Sequence, residues 1–267
     1  DDLPTEETAS PFWPWLIVIG LAYTAAGAFL IRFTRDGLSL KHNGIRGERW
    51  ILALVTLFSL TLRLLLSARI EGYQVDVNCF LSWGQTMAAV GPSRFYQTTS
   101  FCDYPPLYLY ILGLNSTVSA GSSAEMTRII FRLLPNLCDL AACWMIYEGA
   151  KARKTIPSGW ALIISGMLSL NPAFILNSAA WGQMDSVFCL LLMITAVLAA
   201  EEKWLAALPL YILCVLLKPQ ALMVGPIGLV CFIQTLVHTP SGHRRCLPAL
   251  VLSAVTAVIC VLPFSVH

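Results

Sequence analysis

The 267-residue chain is 57% hydrophobic and only 12% charged, with a mean hydropathy of +0.71; a soluble globular domain carries about a quarter charged residues. That balance excludes an ordinary soluble domain, and a net charge of +2, with the cations scattered between apolar blocks, gives no sign of a nucleic-acid partner. Apolar stretches approaching the ~20 residues of a bilayer-crossing helix recur along the chain, while the short alternating segments of a β-barrel are missing, so the expected fold is an all-α, polytopic transmembrane helical bundle.

The chain lacks an initiator Met and its last apolar block stops at His267. The expectation is therefore one transmembrane domain over residues 1–267, the N-terminal part of a longer protein. Asp1–Ser10 is acidic and lacks the basic start of a signal peptide.

The first span is expected over Phe12–Ile31, entered through the interfacial aromatics Phe12, Trp13 and Trp15. Arg32, Arg35, Lys41, Arg46 and Arg49 follow, marking a cytoplasmic linker by the positive-inside rule and leaving the N-terminus outside. Trp50–Ser67 then runs outward. It contains Arg63, which needs an ion-pair partner or must snorkel to the nearby outer surface.

Residues 69–106 form the first large external loop. Val77, Phe80, Leu81, Gly84, Met87 and Ala88 fall on one helical face of Val77–Val90, while Asn78, Ser82, Gln85 and Thr86 lean away. That is the pattern of an amphipathic helix on the membrane surface, ended by Gly91-Pro92. Pro105-Pro106 can start the next helix. Leu107–Val118 is short and reads as a segment that does not cross, because only then do Lys151, Arg153 and Lys154, after the span Ile129–Tyr147, fall in the cytoplasm.

The remaining spans are expected at Trp160–Ile175, Val187–Ala200, Trp204–Leu217, Ala221–Val237 and Leu247–Pro263. On this path most of the 17 Lys and Arg are cytoplasmic. Three polar islands share the external face: the first loop, Asn171–Ser186 (NPAFILNSAAWGQMDS) and Leu217–Gln220 (LKPQ). Trp-Gly-Gln occurs twice, at Trp83 and Trp181, but the flanks differ and no regular repeat emerges.

Acids at a membrane surface are costly and tend to be functional, which singles out Asp76, Asp103 and Asp185. Asp76 is placed to accept a proton from an attacking hydroxyl, or to cap the helix that follows it. Asp185 follows Trp181, Gly182 and Gln183, a ring, a point of close approach and a hydrogen-bonding amide; it is equally placed to cap the span from Val187, with Trp181 as an interfacial anchor. Asp103 and Tyr104 precede the double proline, in a setting that suits a sugar or a solvated turn. Lys218, followed by Pro219 and Gln220, is a cation against the positive-inside trend and so a candidate for an anion such as a lipid phosphate. Arg128 and Arg132 can assist it, or snorkel to headgroups. Nine cysteines show no zinc or redox spacing; Cys79 and Cys102 can pair if the loop faces an oxidising compartment. No phosphate loop and no metal-ligand motif is present, so no cofactor or metal is expected.

The order of motifs, an acid in the first loop, then Phe-Cys-Asp-Tyr-Pro-Pro-Leu-Tyr, then Asn-Pro-Ala-Phe-Ile-Leu-Asn-Ser-Ala-Ala-Trp-Gly-Gln-Met-Asp-Ser, then Leu-Lys-Pro-Gln, resembles the GT-C integral membrane glycosyltransferases over Gly72–Gln220. It is most similar to bacterial-type relatives of GPI mannosyltransferases, and Asp-Tyr-Pro-Pro-Leu also occurs in glucosyltransferases using dolichyl-phosphate glucose. The resemblance implies an inverting hexosyltransferase, mannose favoured, that moves sugar from a polyprenyl-phosphate donor to a lipid-linked or glycan acceptor on the extracytoplasmic face. It implies Asp76 as base, Asp103 as a second active-site acid and Lys218 at the donor phosphate, with Tyr104, Trp181, Gln183, Asp185 and Gln220 around the substrates. Many such enzymes carry a paired acid in the first loop, whereas Asp76 stands between Val75 and Val77. The rival readings are a transporter or flippase of lipid-linked sugars, which tends to show inverted repeats, and a non-catalytic membrane subunit.

Overall fold

The computed structural model describes residues 13–37, 47–154 and 156–265, and these are helical with no strand among them. In chain order the helices are α1 (Trp13–Gly37), α2 (Glu48–Arg69), α3 (Gln74–Thr98), α4 (Pro106–Val118), α5 (Ala124–Arg153), α6 (Ser158–Ser169), α7 (Pro172–Ile175), a π-helical turn (Leu176–Trp181), α8 (Asp185–Ala200), α9 (Trp204–Leu217), a 3-10 turn (Pro219–Val224), α10 (Gly225–His238) and α11 (Gly242–Ser265). Among the described residues, four helical segments are long and apolar enough to cross a bilayer: α2, α5, the 3-10 turn continuous with α10, and α11; the bent segment Ser158–Trp181 makes a fifth if counted as one span. Large apolar side chains stand exposed along them, among them Ile227, Val237, Val251 and Ile259. Water would disfavour such a surface and lipid would not. The chain is an integral membrane protein.

The expected elements recur with three changes of outline. Pro172 interrupts the expected span Trp160–Ile175: α6 stops at Ser169, and Asn171 caps α7, its side-chain oxygen accepting the Ala173 N–H at 2.9 Å. Gly91 breaks α3 as expected, with φ +72°, but the helix resumes through Pro92 to Thr98. The buried face of α3 also differs: it is Phe80, Trp83, Gly84 and Met87, while Ala88 is exposed. α4 has 13 residues, about 20 Å at 1.5 Å per residue, too short to cross ~30 Å of hydrocarbon alone. Phe12, Lys41 and Arg46 lie outside the described residues, as do the side chains of Trp13, Trp15 and Arg35.

Contacts divide the chain into two compact units, Asp1–Thr61 with Cys143–Leu176 and Leu62–Ala142 with Asn177–His267. In the first, buried Glu48 accepts hydrogen bonds from Tyr147 at 3.0 Å and Ser158 at 2.9 Å, beside a small core of Leu52, Tyr147 and Ala161. Arg49 binds Glu148 through two parallel hydrogen bonds of 2.8 and 2.9 Å.

The second unit holds the larger core. The apolar face of α3 packs on α4 through Phe80, Trp83, Met87, Tyr108, Leu109 and Leu112. The two backbones come close where glycines stand: a Cβ at Gly84 would lie 2.8 Å from the Leu112 carbonyl oxygen, and one at Gly113 would lie 2.7 Å from Met87 Cγ. The Trp83 indole donates to the Phe101 carbonyl at 2.8 Å and so ties the 99–105 segment down. A second cluster, Trp204, Ala207, Phe232, Cys246 and Ala249, joins α9, α10 and α11.

Candidate functional site

All the candidate side chains lie in the second unit. The site is built on a polar frame inside it. Arg63 is fully buried and pairs with Asp139, Nη1 to Oδ2 at 2.7 Å, while also donating to Ser178 Oγ. It therefore does not snorkel: a buried guanidinium needs a counter-charge and acceptors, and Asp139 and Ser178 supply them. Ser67 donates to the Ala179 carbonyl at 3.1 Å and accepts from the Asn136 amide at 3.2 Å.

Arg128 and Arg132 are not headgroup ligands either. Arg128 donates twice to the Ala68 carbonyl, and Arg132 donates to the carbonyls of Ser67, Ile70, Glu71 and Ala179. The last carbonyls of α2 have no intrahelical donors, and the two guanidiniums provide them. Arg132 thereby ties the end of α2 to the π-helical turn.

Two glycines shape the chain around this frame. A Cβ at Gly72, with φ +88°, would fall 2.8 Å from both the Ala180 carbonyl oxygen and Arg132 Nη2. Gly182, with φ +85°, turns the chain after the π-helical turn, and the N–H groups of Gly182 and Gln183 both reach the Asn177 carbonyl at 3.0 Å. A side chain there would meet both the left-handed backbone strain and Arg132, whose Nε lies 3.1 Å from an ideal Cβ.

The result is convergence on Asp76. Its Oδ2 accepts from the Trp181 indole N–H at 2.8 Å and from the Gln183 amide at 2.7 Å. Its Oδ1 has no hydrogen bond among the described residues. Asp76 is not the helix cap, because α3 starts at Gln74 with Tyr73 in the capping position; Asp76 stands in the first turn, where a carboxylate complements the helix dipole. Trp181, still 44% exposed, is accordingly more than an interfacial anchor, and Tyr73 packs edge-on against it with ring centroids 6.0 Å apart.

Gln183 continues the chain of contacts, its carbonyl oxygen accepting from the Tyr104 hydroxyl at 3.4 Å. The Tyr104 ring stacks obliquely on Tyr108 at 4.6 Å and receives the Lys218 ammonium 5.8 Å from its centroid. Burial pushes the Tyr104 hydroxyl well above its ordinary pKa, and the carboxylates of Asp185, Asp103 and Asp76 push in the same direction, so it is a neutral donor.

Lys218 is 8% exposed and forms an ion pair with Asp185. It sits in extended backbone between α9 and the 3-10 turn that Pro219 begins. Asp185 opens α8 after Met184 and makes no side-chain cap; its carboxylate is spent on Lys218.

The structure thus brings together Asp76, Tyr104, Trp181, Gln183, Asp185 and Lys218. The chain matches no protein-family model, no curated protein and no solved structure. What the arrangement can do rests on its own chemistry: one carboxylate oxygen held by two donors, the other with no hydrogen bond among the described residues, and a buried cation paired with a partly exposed carboxylate.

Two expected site residues stand apart. Asp103 and Gln220 are exposed, and neither has a hydrogen bond or ion pair among the described residues. Asp103 reaches the cluster only as an electrostatic neighbour of Tyr104. Cys79 and Cys102 are free thiols. No group of three or more His, Cys, Asp or Glu able to hold a metal occurs among the described residues.

Sequence reasoning missed Asp139, Asn136 and the capping role of Arg132. A single acid within an apolar block, Asp139 in NLCDLAAC, was a legible signal, since an intramembrane carboxylate demands a partner.

Proposed function

We propose that the protein is a membrane glycosyltransferase of the GT-C kind, transferring a hexose, with mannose favoured, from a polyprenyl-phosphate donor to a lipid-linked or glycan acceptor with inversion. The observation that carries this reading is the Asp76 carboxylate, fixed through Oδ2 by Trp181 and Gln183 and free at Oδ1, next to the Lys218–Asp185 pair. A base must be oriented and must keep a lone pair within reach of the proton it takes.

In the reaction the acceptor hydroxyl oxygen bonds to the anomeric carbon from the face opposite the phosphate. The bond from that carbon to the phosphate oxygen breaks, and its electron pair leaves with the phosphate. Oδ1 of Asp76 takes the hydroxyl proton. Lys218 compensates the charge that gathers on the departing phosphate, exchanging part of its interaction with Asp185 for the new anion.

The site faces the extracytoplasmic side, with α3 at that membrane surface. Support comes from the charge pattern: the basic run Lys151, Arg153 and Lys154 follows the apolar stretch Ile129–Tyr147 and belongs in the cytoplasm, which leaves the start of that stretch outside.

The test uses the full-length protein with polyprenyl-phosphate mannose and polyprenyl-phosphate glucose as donors. Asp76→Asn keeps the shape of the side chain and an oxygen that can accept from Trp181 and Gln183 but removes the base, and transfer should fall by at least about 100-fold, the lower end of a typical general-base contribution of ~10²–10⁴. Undiminished transfer by Asp76→Asn overturns the assignment.

A further inference from the structure

A cavity of about 310 Å³ opens between the first turns of α3 and the start of α5, with Trp181 and Gly182 in its wall. That is the low end of the ~300–1,000 Å³ typical of small-molecule sites. Gln74, Asn78 and Gln85 line it from the polar face of α3, the face opposed to the one packed on α4. Asn78 and Gln85 are exposed, and their amides make no hydrogen bond among the described residues.

The lining decides the chemistry of the occupant. Arg128 and Arg132 border the cavity, and each is held in place by backbone carbonyls, Arg128 through Nε and Nη2 and Arg132 through Nη1 and Nη2. The Glu71 carboxylate, which accepts from the Gln74 amide at 3.3 Å, adds negative charge. Primary amides present donors and acceptors together, and with the Trp181 indole beside them they match a neutral, polyhydroxylated ring.

Position supplies the second argument. Trp181 forms part of the cavity wall and also donates to Asp76, and Val77, the residue after Asp76, lines the same wall. A hydroxyl bound here lies close to the carboxylate through these two residues, and neither Lys218 nor Asp185 is among the residues that line the cavity.

We infer that this cavity holds the acceptor, binding it as a neutral sugar ring through Asn78, Gln85 and Trp181. The inference rests on the reading of Asp76 as the base for an acceptor hydroxyl. The residues it adds, Asn78 and Gln85, belong to no catalytic step and act by binding alone.

The test uses the full-length protein in phosphatidylcholine nanodiscs, with methyl α-D-mannopyranoside as the probe, inorganic phosphate as the contrast and saturation-transfer NMR as the readout. Saturable binding of the glycoside should weaken about tenfold in the Asn78→Ala/Gln85→Ala double variant, as expected for one or two lost hydrogen bonds. Gln85→Trp, which fills the cavity from an exposed position, should give the same loss. In turnover, the KM for the acceptor should rise about tenfold while the KM for the lipid-phosphate donor stays unchanged. Absence of saturable glycoside binding, glycoside binding indifferent to both variants, or displacement of the glycoside by phosphate overturns the proposal, as does a rise confined to the donor KM. If Asp76→Asn transfers sugar normally while glycoside binding still requires Asn78 and Gln85, the sugar site stands and the base assignment falls.

Discussion

Arg63 and Asp139 lie 76 residues apart in sequence and form an ion pair at 2.7 Å, with Arg63 fully buried and Asp139 only 7% exposed. Desolvating two charges is expensive, and removing one of them strands the other. Arg63→Met should therefore destabilise the protein by about 3–5 kcal/mol, read as a lowered midpoint of thermal unfolding in detergent. Arg63→Met/Asp139→Leu should recover most of that loss, because it removes the stranded carboxylate as well. A double variant no more stable than the single one would show that Ser178 and the rest of the frame, and not the charge pair, carry the effect.

The approach of α3 to α4 makes a prediction with an internal comparison. Gly84→Ala drives a methyl against the Leu112 backbone, whereas Gly113→Ala meets the flexible Met87 side chain. Overpacking against a backbone costs about 1–3 kcal/mol, so Gly84→Ala should lower the unfolding midpoint clearly and Gly113→Ala less. Equal effects would mean that the two helices part as readily at one end as at the other.

Much of the helical outline was legible because long apolar blocks alternate with polar punctuation. The clearest case is Trp204–Leu217, whose observed limits coincide with the expected ones, since Lys203 and Lys218 bracket an unbroken apolar run. Asn171-Pro172 was an equally readable stop within the expected span Trp160–Ile175, because proline offers no N–H to continue the helix. The convergence of the three islands was foreshadowed by topology alone, but the individual contacts were not. That Trp181 and Gln183 both reach one oxygen of Asp76 depends on the π-helical turn and on Gly182 at φ +85°, neither of which periodicity reveals. Trp83 is not needed to complete a three- and four-residue apolar spacing over Val77–Ala88, so the sequence pattern alone does not place it on the buried face, where the structure has it. Arg63, about one turn from the end of the expected span Trp50–Ser67, reads as a snorkelling residue until its partner on another helix is known.

Trp181→Phe keeps an aromatic ring in place and deletes the N–H that reaches Asp76 Oδ2. A hydrogen bond to a charged group contributes about 1.5–3 kcal/mol, so kcat should fall about 10–100-fold while the unfolding midpoint hardly changes, the side chain being partly exposed. Steady-state kinetics with the lipid-phosphate donor separates this from a binding defect: a change in KM alone would make Trp181 a platform for substrate and not a support for the carboxylate.

Tyr104 gives the protein an alkaline limit. Its hydroxyl has an ordinary pKa of 10.0, raised in the fold by burial and then by Asp185, Asp103 and Asp76. A group whose pKa is raised on folding holds its proton more tightly folded than unfolded, so its contribution is fully present below the unfolded value and is lost as pH rises above it. Stability should accordingly fall as pH passes about 10, and Tyr104→Phe should flatten that fall. Denaturation midpoints of both proteins at pH 8 to 11, taken alongside the phenolate absorbance, check the slope; parallel curves would rule Tyr104 out as its source.

Lys218 offers the contrast to Arg63, because the two ion pairs differ in what is left behind. Lys218 is 8% exposed, but the side chain of its partner Asp185 is 43% exposed, so Lys218→Met leaves a carboxylate that water can solvate and not one that is stranded. The long methionine side chain also keeps the apolar packing of the lysine stem, including its place by the Tyr104 ring. The variant should therefore unfold within about 1 kcal/mol of the parent while the KM for the polyprenyl-phosphate donor rises about tenfold or more, the loss of one charge-assisted contact to phosphate. Asp185→Asn should behave in the opposite way toward the donor, since it frees Lys218 from its counter-ion and lowers the cost of exchanging one anion for another. Measured together, a raised donor KM for Lys218→Met and an unchanged or lowered one for Asp185→Asn would assign the cation to the donor phosphate. A donor KM that rises equally in both would make the ion pair a strut that positions Tyr104 and the start of α8.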